Sequence, residues 1–480
     1  MLSGTLWLTL ATVLGLILGF FREVSQLDLF GASGALDGMV IALFLPEAVR
    51  IVLGGGALAA AMLPLWIERQ TPLLRQRWSA TQTTQLMVLS VVFAGLLMWL
   101  APWVMFALAP GLSEESTALA VGFFMITVWC LPSIVLHSIL AVIHQAEKQF
   151  FLQGLAGVFF NGPALLYLLI SDSPDLYQVA WLMLIGSALM PLPLLPGAWR
   201  AGWRPFALRI DYLAVSELYV RLRPLMVAGV ANQGVVWAER VIASFLGEGM
   251  IVLINFARKL INILSVVLMS LGQVLLSHFA SHFQSSSERA RSLLMDAMRW
   301  MFILLWPMVM AAVLFAEPLV NLLPIDIALD QLSLLAWLVI GFAASIPLAA
   351  LNMLFARWSY AQGNTLTPTK VELFGMAMQA LLAFALAQVW GVWGIPAAGF
   401  IATSLMAGIF VYRQYVPLPF TPFVAMTSLL MLFSVALVWA LPTPQYLDSL
   451  VVLAAAPLFS LGVSGLIYTA MRLAGVRVSW

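Results

Sequence analysis

Apolar runs of about twenty residues, the length that spans a bilayer, recur along the whole chain and leave it few ways to fold. Such windows begin near Leu2, Asp37, Gln85, Ser116, Phe150, Tyr177, Pro224, Met250, Leu293, Leu332, Val371, Val392, Phe423 and Leu450. In hydrocarbon every backbone N–H and C=O must find a partner within the protein, so segments of this length close on themselves as helices. The expectation is an all-α polytopic membrane protein of about fourteen helices joined by short links, with no room for a folded extramembrane domain. Composition agrees: 63% of the 480 residues are hydrophobic and 9% are charged, against about 25% charged in a soluble domain.

Charge placement orients these helices, because cytoplasmic loops are enriched in Lys and Arg. Arg69, Arg75 and Arg77 follow the second window, and Lys148 follows the fourth. Arg200, Arg204, Arg209, Arg221 and Arg223 lie between the sixth and seventh, with further basic residues at Arg289, Arg291, Arg357, Lys370, Arg413, Arg472 and Arg477. The alternate loops carry Glu114, Glu115, Asp172, Asp175, Glu248, Glu317, Asp326, Asp330 and Asp448. An even number of spans with both termini cytoplasmic accounts for the alternation. The N-terminal run lacks a basic leader region and a small-residue cleavage site, so it reads as a retained first helix.

A weak internal repeat runs beneath this pattern. GMVIALFLPEAVRIV from Gly38 matches GMIVLINFARKLINI from Gly249 in apolar pattern, 211 residues further on. HQAEKQFFLQ from His144 and YAQGNTLTPT from Tyr360 lie at the similar offset of 216. Helices two and eight share parity, which implies two parallel six-helix lobes with two helices added at the C-terminus. The corresponding segments are an N-lobe (1–205), a C-lobe (206–416) and a final pair (417–480). Transporters built from parallel repeats bind cargo at the repeat interface.

Charged side chains within the spans are the candidate site. They are Arg22, Asp37, Glu47 and Arg50 early in the first lobe, and Glu239, Arg240, Arg258 and Lys259 early in the second. A charge at a helix centre costs roughly 2.5–3.5 kcal/mol on insertion scales, so charges there usually line a polar cavity or pair with one another. Glu47 and Arg50 are spaced to pair on one helix face. Pro46 and the run Gly54 to Gly56 interrupt that helix. Arginine favours a doubly hydrogen-bonded phosphate, so the set points to an anionic headgroup; the alternatives are buried ion pairs and long side chains reaching out from helix ends.

Other motifs carry less. His278 and His282 share a helix face but no Glu follows the first, so the zinc-protease pattern fails. His137 and His144 have no sequence neighbours of matching chemistry. Asn232, Asn255 and Asn352 suit interhelical hydrogen bonds. GGGA at 54–57 lacks the Lys-Ser/Thr of a phosphate loop and suits a hinge or close packing. The single Cys130 excludes an internal disulfide and a thiolate metal cluster, and reads as a small buried apolar residue. A net charge of +1 gives no reason to expect nucleic acid. No nucleophile–base constellation is present, so the chain reads as a transporter and not an enzyme.

The run LGFFREVSQLDLFGASGALDGMVIALFLPEAVRIVLGGGALAAAMLPLW resembles the first two helices of the MurJ/MviN family. VVWAERVIASFLGEGMIVLINFARKLINILSVVLMSLGQVLLSHFASH is similar to that family's helices seven and eight, and ARWSYAQGNTLTPTK to its segment after helix ten. These are flippases of the multidrug/oligosaccharidyl-lipid/polysaccharide exporter superfamily. The resemblance implies movement of lipid II, an undecaprenyl-diphosphate-linked peptidoglycan precursor, from the cytoplasmic to the periplasmic leaflet by alternating access. It implies a bacterial inner-membrane location and a monomer among membrane lipids. It implies no cofactor, the drive coming from membrane potential or an ion gradient. By position, Arg22, Asp37 and Arg50 match the family's cavity residues, Lys259 falls where helix eight carries an Arg, and Arg258 where it often carries Asp. The last two helices resemble a pair forming a groove for the lipid tail. Departures are Leu16 in place of a cavity Arg, GGGAL for the AEGAF signature, and Lys for Arg at 259. A flippase of exopolysaccharide or O-antigen repeat units also fits, as more distantly does a drug or cation antiporter of the same superfamily.

Overall fold

The computed structural model describes residues 2–207, 211–262, 287–414, 458–460, 462–465 and 469. Among these residues seven helical runs are long and apolar enough to cross a membrane, or eight if one bent pair is a single span. The expected helices thirteen and fourteen, the groove between them, and His278 and His282 lie outside the described residues, apart from a short stretch near Ser460. The residues from Met1 to Val252 form one compact unit and those from Leu253 to Trp480 a second.

The first unit opens with α1 (Leu2–Phe30) and α2 (Gly34–Val52). A π-helical segment, Leu53–Ala57, leads into α3 (Leu58–Glu68). Then come α4 (Pro72–Trp99), α5 (Ala101–Leu108), α6 (Glu114–Thr127) and α7 (Cys130–Ala146), with α6 and α7 bent by 41° at their junction. A short α8 (Phe151–Gly154) precedes the hairpin of α9 (Ala156–Ile170) and α10 (Leu176–Leu189). After α11 (Leu195–Arg200), the long α12 (Tyr212–Ser244) packs on α2, α3, α4 and α5. The opening turn of α13 (250–262) completes this unit.

The expectation that Pro46 interrupts helix two is corrected: α2 runs straight through it. Proline has no N–H to give the carbonyl four residues back, which normally kinks or ends a helix. Here the Ala42 carbonyl instead accepts from Thr127 Oγ1 at 3.1 Å, a bond supplied by α6. The true break is ten residues later, where Gly56 takes φ 112°, ψ −7°. That left-handed backbone is open to glycine and costly for other residues. Single-turn π segments of this kind recur at functional sites.

Small residues set the close approaches. Gly34 and Gly38 sit one turn apart on α2 and face Ser116 and Ala120 of α6, where a Cβ at Gly38 would lie 3.1 Å from the Ser116 carbonyl. Gly15 of α1 meets Gly157 of α9 so tightly that an added Cβ would fall 2.8 Å from the opposing Cα. Such stripes let helices in lipid trade side-chain bulk for backbone contact. A second kind of seam closes the proline-rich break between α10 and α11. There His137 Nδ1 meets the Met190 carbonyl at 3.2 Å and His144 Nε2 the Leu194 carbonyl at 2.9 Å. Both histidines therefore satisfy carbonyls that a broken helix leaves unpaired.

The second unit holds the remainder of α13, then α14 (Ser287–Leu314), α15 (Ala316–Asn321), α16 (Leu329–Ala343) and α17 (Ile346–Ala361). Next comes the hairpin of α18 (Leu366–Trp390) and α19 (Gly394–Gln414), which turns at Gly391 with φ 58°. Asn352 ties α17 to the Thr403 carbonyl of α19 at 3.0 Å. Ser460 and Ser464 donate to the carbonyls of Pro307 and Ile303 on α14.

Candidate functional site

Three helices of the first unit, α1, α2 and α12, bring charged side chains together. Arg22 projects from α1 and is 2% exposed. Its Nη2 lies 3.0 Å from Glu23 Oε1 and 3.9 Å from Glu47 Oε1 of α2, while Nη1 donates to the Met183 sulfur on α10 at 3.0 Å. Arg240 of α12 lies over the Phe44 ring at 4.4 Å, and its Nη1 reaches the Val40 carbonyl at 3.5 Å. The carboxylates of Glu47 and Glu23 act electrostatically on both Arg50 and Arg240, and Glu239 acts on Arg240. Three arginines thus share this interior with three glutamates. The balance moderates the cost of keeping charge out of water, which is prohibitive for an isolated ion.

Arg50 breaks the expected pattern. Its spacing from Glu47 suits a pair along one helix face, yet among the described residues it makes no ion pair and no hydrogen bond. Glu47 reaches toward Arg22 instead. The Arg50 guanidinium lies 5.1 Å from the centroid of Phe160 on α9, a ring that is itself fully buried. Its Nε is buried with no partner. Arginine carries five donors in a fixed fork matched to carboxylate and phosphate, and here that capacity is uncommitted.

Asp37 stands apart from this cluster. Ten residues of α2 separate it from Glu47, about 15 Å along a helix. It is 0% exposed, and both oxygens are taken: Gly249 N–H donates to Oδ2 at 2.6 Å and Val252 N–H to Oδ1 at 2.8 Å. The carboxylate therefore closes the N-terminus of α13, where free N–H groups and the helix dipole both favour an anion. Beside it, Glu248 accepts from the Ser113 hydroxyl at 3.0 Å.

Arg258 and Lys259 belong to the second unit, both half-buried on α13. The Arg258 guanidinium lies 4.5 Å from the Phe342 ring of α16. Leu16, where the family resemblance expects an arginine, is an exposed apolar side chain. Glu23, one of the charges crowded into the apolar stretch from Phe21 to Trp66 though outside the candidate set above, joins the cluster beside Arg22. Gln26, buried one turn further along α1, is a polar neighbour that the sequence did not single out. The Phe and Met supports of the arginines had no signal in sequence, since apolar residues are everywhere in such a chain.

A family model described as lipid II flippase MurJ matches residues 27–459. A lipid II flippase MurJ of Burkholderia cenocepacia is 29% identical over 332 residues, covering 64% of this chain and 63% of that relative. A probable lipid II flippase MurJ of Aquifex aeolicus is 25% identical over 435 residues, covering 87% and 84%. Among solved structures, a lipid II flippase MurJ in an inward closed conformation aligns with TM-score 0.83 at 19% identity, over 98% of this chain and 99% of that one. An inward-facing multidrug resistance transporter of the MATE family, in the MOP superfamily, aligns with TM-score 0.70 at 15% identity, over 84% and 94%. These likenesses to solved structures concern the fold. The match of the family model over nearly the whole length decides the relationship: this multi-pass membrane protein belongs to the MurJ lipid II flippase family.

Proposed function

We propose that the chain carries lipid II, a glycan linked to a polyprenyl diphosphate, from the cytoplasmic to the periplasmic leaflet of a bacterial inner membrane. The observation that carries this reading is the group of buried Arg22 and Arg240 and half-buried Arg50, balanced by glutamates, with the Arg50 donors uncommitted. A diphosphate offers the doubly accepting oxygens that an arginine fork binds best. Arg258 and Lys259 extend the same chemistry on the second unit. Glu47, Glu23 and Glu239 hold the cations in place while no headgroup is present and yield them when one arrives.

On this reading the chain acts as a monomer with both termini cytoplasmic and needs no bound cofactor. Energy comes from the membrane potential or an ion gradient, since one charge crossing 100 mV gains about 2.3 kcal/mol. Asp37 serves the cycle and does not contact cargo: by holding the start of α13 to α2 it stabilises one state of the transporter.

The test is rescue of a strain depleted of its own lipid II flippase. The parent chain is expected to restore growth, and Arg50→Ala to lose transport by roughly ten- to a hundredfold, as for removal of charge-assisted hydrogen bonds, while inserting normally. An expressed, inserted parent chain that fails to rescue would exclude lipid II as the cargo and leave other polyprenyl-diphosphate glycans to be tried.

A further inference from the structure

The charged cluster rests on uncharged supports, and these have a role of their own. Arg50 lies over Phe160, Arg240 over Phe44, and Arg22 donates to the sulfur of Met183. Phe160 and Met183 are both fully buried and come from the α9–α10 hairpin. An aromatic face attracts a cation through its quadrupole without accepting a directed N–H···O bond. A guanidinium held that way is fixed in position yet keeps its donors.

Phe160 is an unusually stiff support. Gly186 lets α10 come so close that an added Cβ would lie 2.7 Å from the Phe159 and Phe160 carbonyls. On the other side, Gly157 locks the same helix onto α1. Asn161 next to the ring donates to the Gly157 carbonyl at 2.8 Å. The ring therefore has little freedom to shift, and among the described residues Arg50 makes no hydrogen bond or ion pair that would hold it instead.

We propose that Phe160 is the positioning residue for Arg50: its ring face holds the guanidinium in place with its hydrogen-bonding edge free for the phosphate oxygens of the cargo. The assignment rests on the proposed function and adds a residue to it. A carboxylate in the same place would bind Arg50 more strongly, but would occupy the donors the cargo needs and repel its charge. A phenyl ring does neither.

Graded fluorination separates this role from simple packing, because each fluorine drains charge from the ring face with little change in shape. Mono-, di- and trifluorophenylalanine would be placed at position 160 by nonsense suppression in the full chain. Two quantities would be read: rescue of the flippase-depleted strain, and affinity of the purified chain for inorganic pyrophosphate. Phe124, fully buried on α6 and with no cation over it among the described residues, receives the same series as a packing control. The expected result is a stepwise fall at position 160, reaching roughly three- to thirtyfold in pyrophosphate affinity as the cation–π contribution is removed, and a flat series at position 124. A flat series at 160, with Arg50→Ala still inactive, would overturn the positioning role and leave the transport reading standing. Equal falls at 160 and 124 would overturn it as well, since packing would then explain both. Full activity of Arg50→Ala would overturn the role of Arg50 and with it that of Phe160, whereas failure of the parent chain to rescue would remove the transport reading itself.

Discussion

Asp37 and Arg50 share a helix and a family resemblance, yet their side chains meet opposite circumstances. Asp37 has both oxygens filled by backbone amides, whereas Arg50 has a ring beneath it and donors to spare. Removing each should therefore fail differently. Asp37→Ala takes away two hydrogen bonds to a charged acceptor, which is expected to lower stability by about 2–4 kcal/mol. Asp37→Asn keeps one acceptor but turns an amide donor toward a second N–H, and should recover only part of that loss. Thermal melting of the purified chain reads the difference; an Asp37→Ala variant that melts like the parent would show that these bonds carry no weight. Charge and spacing made Arg22, Glu47 and Arg50 visible in the sequence as a set. The N–H groups that fill Asp37 lie 212 and 215 residues away, and no local pattern announces a partner at that distance. The ring under Arg50 was equally hidden, being one phenylalanine among 29.

Among the elements, the α2–α3 junction is where local sequence and structure correspond most closely. Three consecutive glycines predict a weak point, and the backbone leaves helical geometry at the third of them. The proline predicts a break that does not form, because a threonine on a neighbouring helix completes the bond that proline omits. One interruption was local and therefore legible; the other was repaired from outside. The two glycines at the ends of this run make a clean comparison, since neither meets another atom where a Cβ would sit. Gly56→Ala must adopt a positive φ and is expected to cost about 1 kcal/mol or more, or to straighten the junction. Gly54→Ala keeps helical φ and ψ within the π segment and should be neutral or slightly stabilising. Circular dichroism melts of the pair check this; equal effects would mean that the left-handed turn is not retained in the membrane.

For the whole molecule, helical class and membrane residence followed from the recurrence of apolar windows, because hydrocarbon leaves so few alternatives. Orientation is proposed from basic residues alone and has a direct chemical test. Cys130 is the single cysteine and is fully buried, so the parent chain is a quiet background for thiol labelling. A cysteine replacing the exposed Glu114 should react with an impermeant maleimide on intact cells. One replacing the exposed Arg77 should react only after permeabilisation. The reverse pattern would invert the topology. The bond between the start of α2 and the start of α13 could not be foreseen from charge counts, because its donors are backbone groups without a residue-type signature.

The Gly15–Gly157 contact has a mechanical consequence. With no side chains between them, α1 and α9 have no soft layer in which to slide, and the packing of Gly186 extends the weld to α10. Arg22, Phe160 and Met183 then travel as one solid piece. Glu47 and Arg50 stand on α2, above the left-handed turn at Gly56. A bulky residue at Gly15 is therefore expected to push α1 off α9 and unseat Arg22 from the helices that carry Phe160 and Met183, while leaving every charge in the chain.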